Sequence, residues 1–349
     1  MTSNTPDGDI EISSESWAKQ QTSKGKILFP GLLAAVTVAI AARFLSEHYG
    51  GPTMLFALLL GMGFHFLSEE GACGPGIEFA SRTILQFGVA LLGLGITIDQ
   101  ILAAGWGVAG IVIVGIAVTM LSGPLITRMM NRGWRLGLLT GGAVAICGAS
   151  AALAIASVLP KNQFSERNTI FTVISVTTLS TMAMIIYPMI VTLLAMDDFS
   201  AGVFIGATIH DVAQVVGAGY SISEDTGDTA TFVKLLRVTM LVPIVVILSL
   251  VFRSDPTVGT GRKVPIPLFV IGFVVLIFAG SAEAFPLVLK DWLLAVSRWC
   301  LVIAISAIGM KTALKALKEV GGQAIFLVCA ETVLLALLVL GFLLAPRFF

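Results

Sequence analysis

The chain has 349 residues, of which 56% are hydrophobic and only 12% are charged, and its mean hydropathy is +0.96. Ordinary soluble domains carry about 25% charged residues, so this composition excludes a water-soluble globular protein. The 21 Lys and Arg residues balance the 21 Asp and Glu residues. Zero net charge offers no basic surface to nucleic acid, and we expect no nucleic-acid partner.

Eleven apolar segments follow a polar N-terminus. Residues 1–26 contain no apolar stretch, which predicts a disordered cytoplasmic tail and not a cleaved signal peptide. A helix needs about 20 apolar residues to cross a bilayer. The candidate segments are 27–46, 52–67, 83–98, 105–127, 136–158, 169–195, 201–220, 231–252, 266–283, 292–311 and 321–344. The sequence therefore predicts an all-α polytopic membrane protein of about 11 transmembrane helices, with a single transmembrane domain over residues 27–345.

Lys and Arg in short loops predict the orientation, because they concentrate on the cytoplasmic side of a membrane. A cytoplasmic N-terminus places four basic clusters on that side: Lys19, Lys24 and Lys26; Arg128, Arg132 and Arg135; Arg253, Arg262 and Lys263; Lys311, Lys315 and Lys318. Lys161, Arg167 and Lys290 fall on the other side. We expect a multi-pass protein of the bacterial inner membrane. Whether 201–220 crosses fully or is re-entrant stays open, since a re-entrant segment would invert everything after it.

His210 and Asp211 lie in the middle of the apolar segment 202–220, and Gln214 follows on the same helical stripe. Ionisable residues inside a membrane segment are costly and mark candidate functional sites. Because histidine titrates near neutral pH, we predict that His210, with Asp211, carries a coupled ion. Gln214 is a neutral hydrogen-bond donor and acceptor that suits an oxyanion.

The segment 136–158 is rich in glycine, alanine and serine at its centre. Such residues allow close helix packing. Alternatively, Gly148 ends one half-helix, and the N–H groups that follow point at an anion. On this second interpretation the substrate-binding residues of the segment are Cys147, Gly148, Ala149 and Ser150.

Three further charged residues lie inside apolar segments. Lys234 and Arg237 share one face of the segment 231–252, and Arg237 lies about 9 Å from its start. Arg237 is predicted to attract the substrate, with structural ion pairing or snorkelling to the membrane surface as the alternative. Glu331 has Arg298 and Lys311 as candidate partners, and nothing in the sequence places them together.

Four motifs resemble the YeiH-type sulfate exporters, the UPF0324 family. They are LLGLGIT from Leu91, ICGASA from Ile146, IHDVAQVV from Ile209 and VKLLRV from Val233. That family belongs to the superfamily of cation/proton antiporters and bile-acid/arsenite transporters. The resemblance implies an inverted-repeat transporter with discontinuous helices that cross near the membrane midplane, and a small inorganic or organic anion as the substrate.

These patterns predict a secondary active transporter, not an enzyme, that exports an anion such as sulfate, sulfite or a sulfonate and is coupled to an ion gradient. A passive anion channel is the alternative. An intramembrane serine protease using Ser150 and His210 is less favoured, because the G-x-S-x-G elbow is incomplete. No cofactor or metal is expected, since Cys and His lack ligand spacing and no P-loop occurs. Membrane lipid is the other expected partner, and a homodimer stays open.

Overall fold

The computed structural model describes residues 11–49, 52–69, 71–96, 98–252, 268–282, 285–312 and 322–345. These ranges consist of helices and short connections, without a strand. Seven helices within them are long and apolar enough to cross a bilayer, which confirms the all-α polytopic class. Two of the predicted basic clusters, in 253–267 and 313–321, lie largely outside the described residues, as do residues 1–10 of the predicted tail.

The helices follow the order of the predicted apolar segments. They are α1 (Glu11–Tyr49), α2 (Thr53–Gly63), α3 (Phe66–Glu69), α4 (Gly74–Phe79), α5 (Leu85–Leu92), α6 (Ile98–Met129), α7 (Trp134–Ala145), α8 (Ala149–Val158), α9 (Ser165–Leu193), α10 (Asp198–Thr208), α11 (Val212–Tyr220), α12 (Glu224–Thr239), α13 (Leu241–Val251), α14 (Leu268–Ser281), α15 (Leu287–Lys311) and α16 (Gly322–Leu343). A π-helical turn, Ala80–Ile84, joins α4 to α5. α1 begins at Glu11, inside the segment predicted to be a disordered tail.

Six helices, α1, α2, α4, α5, α14 and α15, pack together in what we call the scaffold bundle. Two of its helix crossings are close because glycine faces glycine. Gly31 of α1 faces Gly76 of α4, and Gly61 of α2 faces Gly309 of α15. A Cβ atom at any of these positions would come within 2.4 Å of a backbone oxygen of the facing segment. Close approach through small residues is the usual way membrane helices associate.

The remaining helices, apart from the single turn α3, form the core bundle, which comprises α6 to α13 and α16. Gly123 of α6 and Gly137 of α7 meet in a third glycine crossing. Around it, α9, α12 and α16 enclose two pairs of short helices, α7–α8 and α10–α11. The core bundle meets the scaffold bundle chiefly where α11 contacts α2 and α15. α11 is therefore the part of the core bundle that faces the scaffold.

The segment 136–158, predicted to cross the membrane, is a re-entrant hairpin. α7 and α8 are separated by a turn in which Gly148 has a φ of 62°. In a continuous helix Gly142 and Ile155 would lie about 20 Å apart. Here a Cβ atom built on Gly142 would lie 2.2 Å from Cδ1 of Ile155. The arms α7 and α8 therefore run side by side, and the chain leaves the membrane on the side where it entered.

The segment 201–220 is a second re-entrant hairpin, formed by α10 and α11. At its start, Asp198 accepts a hydrogen bond of 2.8 Å from the hydroxyl of Thr226. At its end, Tyr220 donates a hydrogen bond to Asp228. A continuous helix would place these two ends about 33 Å apart, yet both contact the first turns of α12. The question left open by the sequence is answered: this segment turns back.

The two hairpins correct the predicted topology, and their effects on orientation cancel. One hairpin would invert the rest of the chain, whereas two restore its direction. Only the part between them changes side. Lys161 and Arg167 move to the face that carries Arg128 and Arg132, and Asp197 moves to the opposite face. The basic residues thus follow the charge rule better than in the predicted topology. We call the two sides the basic face and the acidic face.

Candidate functional site at the hairpin tips

Lys234 of α12 holds the tips of both hairpins. Its Nζ donates to the carbonyl oxygens of Ile146 at 2.8 Å and Ile209 at 3.0 Å, and also to that of His210. The side chain is fully buried. Helix C-termini leave carbonyl groups without intrahelical partners and carry partial negative charge. The converging ends of α7 and α10 therefore stabilise an ammonium group that has no carboxylate within ion-pair distance in the described ranges.

Arg237, one turn further along α12, bonds to the same two tips. Its guanidinium donates to Val144 and Ala145 of the first hairpin and to Gly206 and Ile209 of the second, at 2.8–3.0 Å. The side chain is 1% exposed. Its nitrogen atoms are thus occupied by backbone carbonyls, which is neither the substrate contact nor the ion pair expected from the sequence. In this geometry Arg237 joins the hairpins.

The hairpin tips touch at Gly148 and His210. A Cβ atom built on Gly148 would lie 3.6 Å from Cβ of His210. Glycine adopts the positive φ of this position without the strain that other residues would suffer. Beyond the tips, α8 begins at Ala149 and α11 begins at Val212. The N–H groups of two half-helix N-termini, which favour negative charge, therefore lie near one another.

His210 is fully buried between α16 and the first tip. Its Nε2 lies 2.9 Å from Oγ1 of Thr332, whose hydroxyl donates to the carbonyl of Val328 at 2.7 Å. A hydroxyl has a single proton, so Nε2 is the donor to Thr332. Nδ1 has no hydrogen-bond partner among the described residues.

Asp211 and Gln214 occupy the first turn of α11. Asp211 is half-buried and is the N-cap residue of α11, where its side chain makes no capping hydrogen bond. Gln214 is 3% exposed, with Nε2 lying 3.5 Å from the hydroxyl of Thr181. Its Oε1 has no partner in the part of the chain that the structure describes. Asp211 is thus more accessible than its predicted coupling partner His210.

The predicted anion ligands of the first hairpin differ in exposure. Cys147 is buried in the turn, Ala149 is half-buried, and Ser150 is exposed in the first turn of α8. Among these residues, Gly148 contacts the tip of the second hairpin at His210. Within the described ranges Ser150 forms no hydrogen bond with His210, whose Nε2 is engaged by another side chain. The two residues therefore do not form a serine–histidine dyad.

Glu331 has surroundings that the sequence did not predict. It is fully buried in α16, and its Oε1 lies 2.9 Å from Oγ1 of Thr140 on the first hairpin. The candidate partners Arg298 and Lys311 form ion pairs with other carboxylates. A carboxylate inside an apolar segment is a signal that sequence analysis can detect. Its partner lies 191 residues away, which local patterns cannot identify.

Comparison with known proteins identifies the family. A family model described as "Conserved hypothetical protein 698" matches residues 30–328. UPF0324 membrane protein RB0971 of Rhizobium meliloti (strain 1021) is 55% identical over 315 residues, which cover 89% of this chain and 91% of that protein. The chain belongs to the UPF0324 family. UPF0324 membrane protein CT0845 of Chlorobaculum tepidum is 57% identical over 316 residues, or 90% of this chain and 88% of the relative.

A third UPF0324 relative, the membrane protein TauZ of Paracoccus pantotrophus, is 51% identical over 315 residues, or 89% of this chain and 93% of that protein. No solved structure gives a significant match. The family membership that four motifs predicted is confirmed. The relatives are named as membrane proteins, in agreement with the long apolar helices of this UPF0324 chain.

Proposed function

We propose that this UPF0324 protein is a secondary active transporter of a small oxyanion, such as sulfate, sulfite or a sulfonate, and that it catalyses no reaction. One observation supports this proposal above the others: the tips of two re-entrant hairpins meet, with the N-termini of α8 and α11 beside them. Backbone N–H groups near Gly148 and the amide of Gln214 would bind the oxyanion. Lys234 and Arg237 would add long-range attraction while they hold the tips together.

Asp211 supplies the coupling in this proposal. Asp211 is the N-cap residue of α11, and its side chain makes no capping hydrogen bond. Its negative charge, next to the positive end of this half-helix, would disfavour a bound anion there. A proton on Asp211 removes that charge, so that the proton and the anion bind together. His210, buried and bonded to Thr332, positions the second tip.

The arrangement of the hairpins favours a carrier over a passive channel. A channel needs a continuous water-filled path. The two hairpins enter from opposite faces and meet at their tips, so each one closes the path from its own side. α11 faces α2 and α15 of the scaffold bundle, and movement of the core bundle along this contact would open the site to one face and then to the other.

The proposal also includes a location. The basic face would be cytoplasmic in the bacterial inner membrane, because Lys and Arg are retained on that side, and the N-terminus would lie with it. Membrane lipid is the partner that transport requires, and a homodimer is compatible with the mechanism. Because the proton and the anion would move together, export, the direction named by the resembling family, would follow where the outward gradient of the anion exceeds the inward gradient of the proton.

The proposed function can be tested with purified protein in liposomes and labelled sulfate, sulfite and a small sulfonate at two pH values. We expect saturable uptake that is stimulated by unlabelled anion on the opposite side and by a proton gradient. Asp211→Asn should keep the exchange of labelled for unlabelled anion and lose stimulation by the gradient, because its amide resembles the protonated acid. Asp225→Asn, at an exposed carboxylate of the acidic face, is the matched control.

Three results would contradict the proposal. Uptake without saturation or exchange would indicate a channel. Absence of transport for every anion tested would argue against this substrate class. Full stimulation by the proton gradient in Asp211→Asn would remove Asp211 from the coupling mechanism.

A further inference from the structure

The carboxyl group of Glu331, in the core bundle, has no role in the proposed mechanism. Its side chain is fully buried, and α16 packs there against α6, α7, α9 and α10. Oε1 lies 2.9 Å from the hydroxyl of Thr140, while Oε2 has no hydrogen-bond partner in the described ranges. A Cβ atom on Gly123 would lie 2.8 Å from Oε1. α6 therefore approaches the carboxyl group closely, through a glycine, and leaves little room beside it.

No cation neutralises Glu331 in the described part of the chain. The ionisable side chains that the structure describes on the four helices packed against α16 are Arg128, Arg135, Glu166, Arg167, Tyr187 and Asp198. None of them lies within ion-pair or hydrogen-bond distance of Glu331. A charged carboxylate with one hydrogen bond and no cation within ion-pair distance is strongly unfavourable inside a membrane protein.

The hydroxyl of Thr140 has one proton and three acceptors within reach. Its oxygen lies 2.9 Å from Oε1 of Glu331, 3.1 Å from the carbonyl oxygen of Leu136 and 3.3 Å from that of Gly137. The shortest contact is the hydrogen bond that Thr140 donates to Oε1. One hydrogen bond from a neutral hydroxyl does not compensate a full negative charge in a buried site, and Oε2 has no partner among the described residues. A proton on the carboxyl group removes that charge.

We propose that Glu331 is a second proton-binding site, neutral in this conformation, and that it exchanges its proton with water in each transport cycle. Thr140 belongs to the first hairpin, and Thr332, next to Glu331, holds His210 of the second. Displacement of either hairpin alters the surroundings of the carboxyl group. The proton then leaves the carboxyl group for water on one side, and the carboxylate takes up a proton from water on the other side.

The resting protonation of Glu331 can be tested without transport. The infrared spectrum of the purified protein at neutral pH should contain a C=O stretching band of a protonated carboxylic acid, which Glu331→Gln removes. Glu166→Gln, at an exposed carboxylate, should leave that band unchanged. Thr140→Val removes the hydrogen-bond partner and should shift the band to higher wavenumber. Absence of the band in the wild-type protein, or its persistence in Glu331→Gln, would overturn the proposal.

The exchange of this proton rests on the proposed function and has its own test. In liposomes, protons taken up per labelled anion are counted with an internal pH dye. Glu331→Gln should move one fewer proton per anion than the wild type while still exchanging anions. An unchanged proton count would refute the exchange. If the wild type transports no anion, the proposed function fails and exchange fails with it, whereas the infrared band still decides whether Glu331 holds a proton.

Discussion

Lys234 and Arg237 are buried cations whose partners in the structure are backbone carbonyls. A lone charge inside a membrane protein is unfavourable unless polar groups replace its hydration shell. The ends of α7 and α10 supply these groups, because each leaves carbonyls that its own helix cannot satisfy. The carbonyl groups of the half-helices therefore stabilise the two cations, and the cations hold the half-helix ends together. These contacts fix the position of the candidate site.

Arg237→Gln should destabilise the protein. The variant leaves buried carbonyls of both tips unsatisfied, which we expect to lower the free energy of unfolding by about 3 kcal/mol or more. Heating in detergent, followed by size-exclusion chromatography, would show a lower midpoint of aggregation. Arg298→Gln is the control, because its exposed ion pair with Glu224 contributes less than about 1 kcal/mol. A stable Arg237→Gln protein with a raised KM for anion would instead support direct substrate binding.

Sequence reasoning found the chemical groups of the site, while their roles stay predictions. His210, Asp211 and Gln214 were predicted because polar residues in an apolar segment are conspicuous, and all three lie at or beside the second tip. The backbone carbonyls that bind Arg237 were not predicted, since no sequence pattern marks them. The contact of Glu331 with Thr140 was not predicted because the two residues are 191 positions apart.

At the scale of elements, hydropathy predicted the apolar segments, gave the wrong path for 136–158 and left the path of 201–220 open. An apolar stretch of about 20 residues can form one crossing helix or two half-length arms, because both bury the same side chains in the bilayer. The positive φ of Gly148 is what turns the first segment back, and it is not visible in composition. One signal was available: Lys161 and Arg167 lay on the wrong side of the predicted topology, and the first hairpin explains why.

The path of the first hairpin can be tested by labelling single cysteines in a protein that lacks the native ones. We expect Asn162→Cys, in the connection between α8 and α9, to react with a membrane-impermeant maleimide from the same side as Arg132→Cys. Ser221→Cys, after the second hairpin, should react from the opposite side. If Asn162→Cys reacts from the side of Ser221→Cys, α7 and α8 cross the membrane and the hairpin is wrong.

At the scale of the whole molecule, the separation into two bundles is the feature that the sequence did not predict. Close glycine crossings tie helices together within each bundle, whereas the contact between bundles depends chiefly on α11 with α2 and α15. Which helices group together is decided by contacts distant in sequence, such as that between α2 and α15. A carrier that moves one bundle against the other would slide along the face of α11.

Cross-linking across this face should stop transport if the bundles move. A Cβ atom on Gly217 of α11 would lie 3.3 Å from Cδ1 of Ile305 on α15, so Gly217→Cys with Ile305→Cys places two thiols within reach of Hg²⁺. We expect Hg²⁺ to abolish anion exchange in this double variant and to leave anion binding to the purified protein intact. The loss should reverse with excess thiol.

A cross-link within one bundle provides the matched control, because its two ends move together. A Cβ atom on Gly88 of α5 would lie 3.0 Å from Cβ of the native Cys300 on α15, and both helices belong to the scaffold bundle. Gly88→Cys with Cys300 as the other thiol should bind Hg²⁺ and continue to exchange anions. Equal inhibition of the two pairs would mean that Hg²⁺ acts on the thiols themselves. Full anion exchange by the cross-linked Gly217→Cys and Ile305→Cys variant would mean that transport needs no movement along α11. The carrier mechanism would then have to operate through the hairpin tips alone.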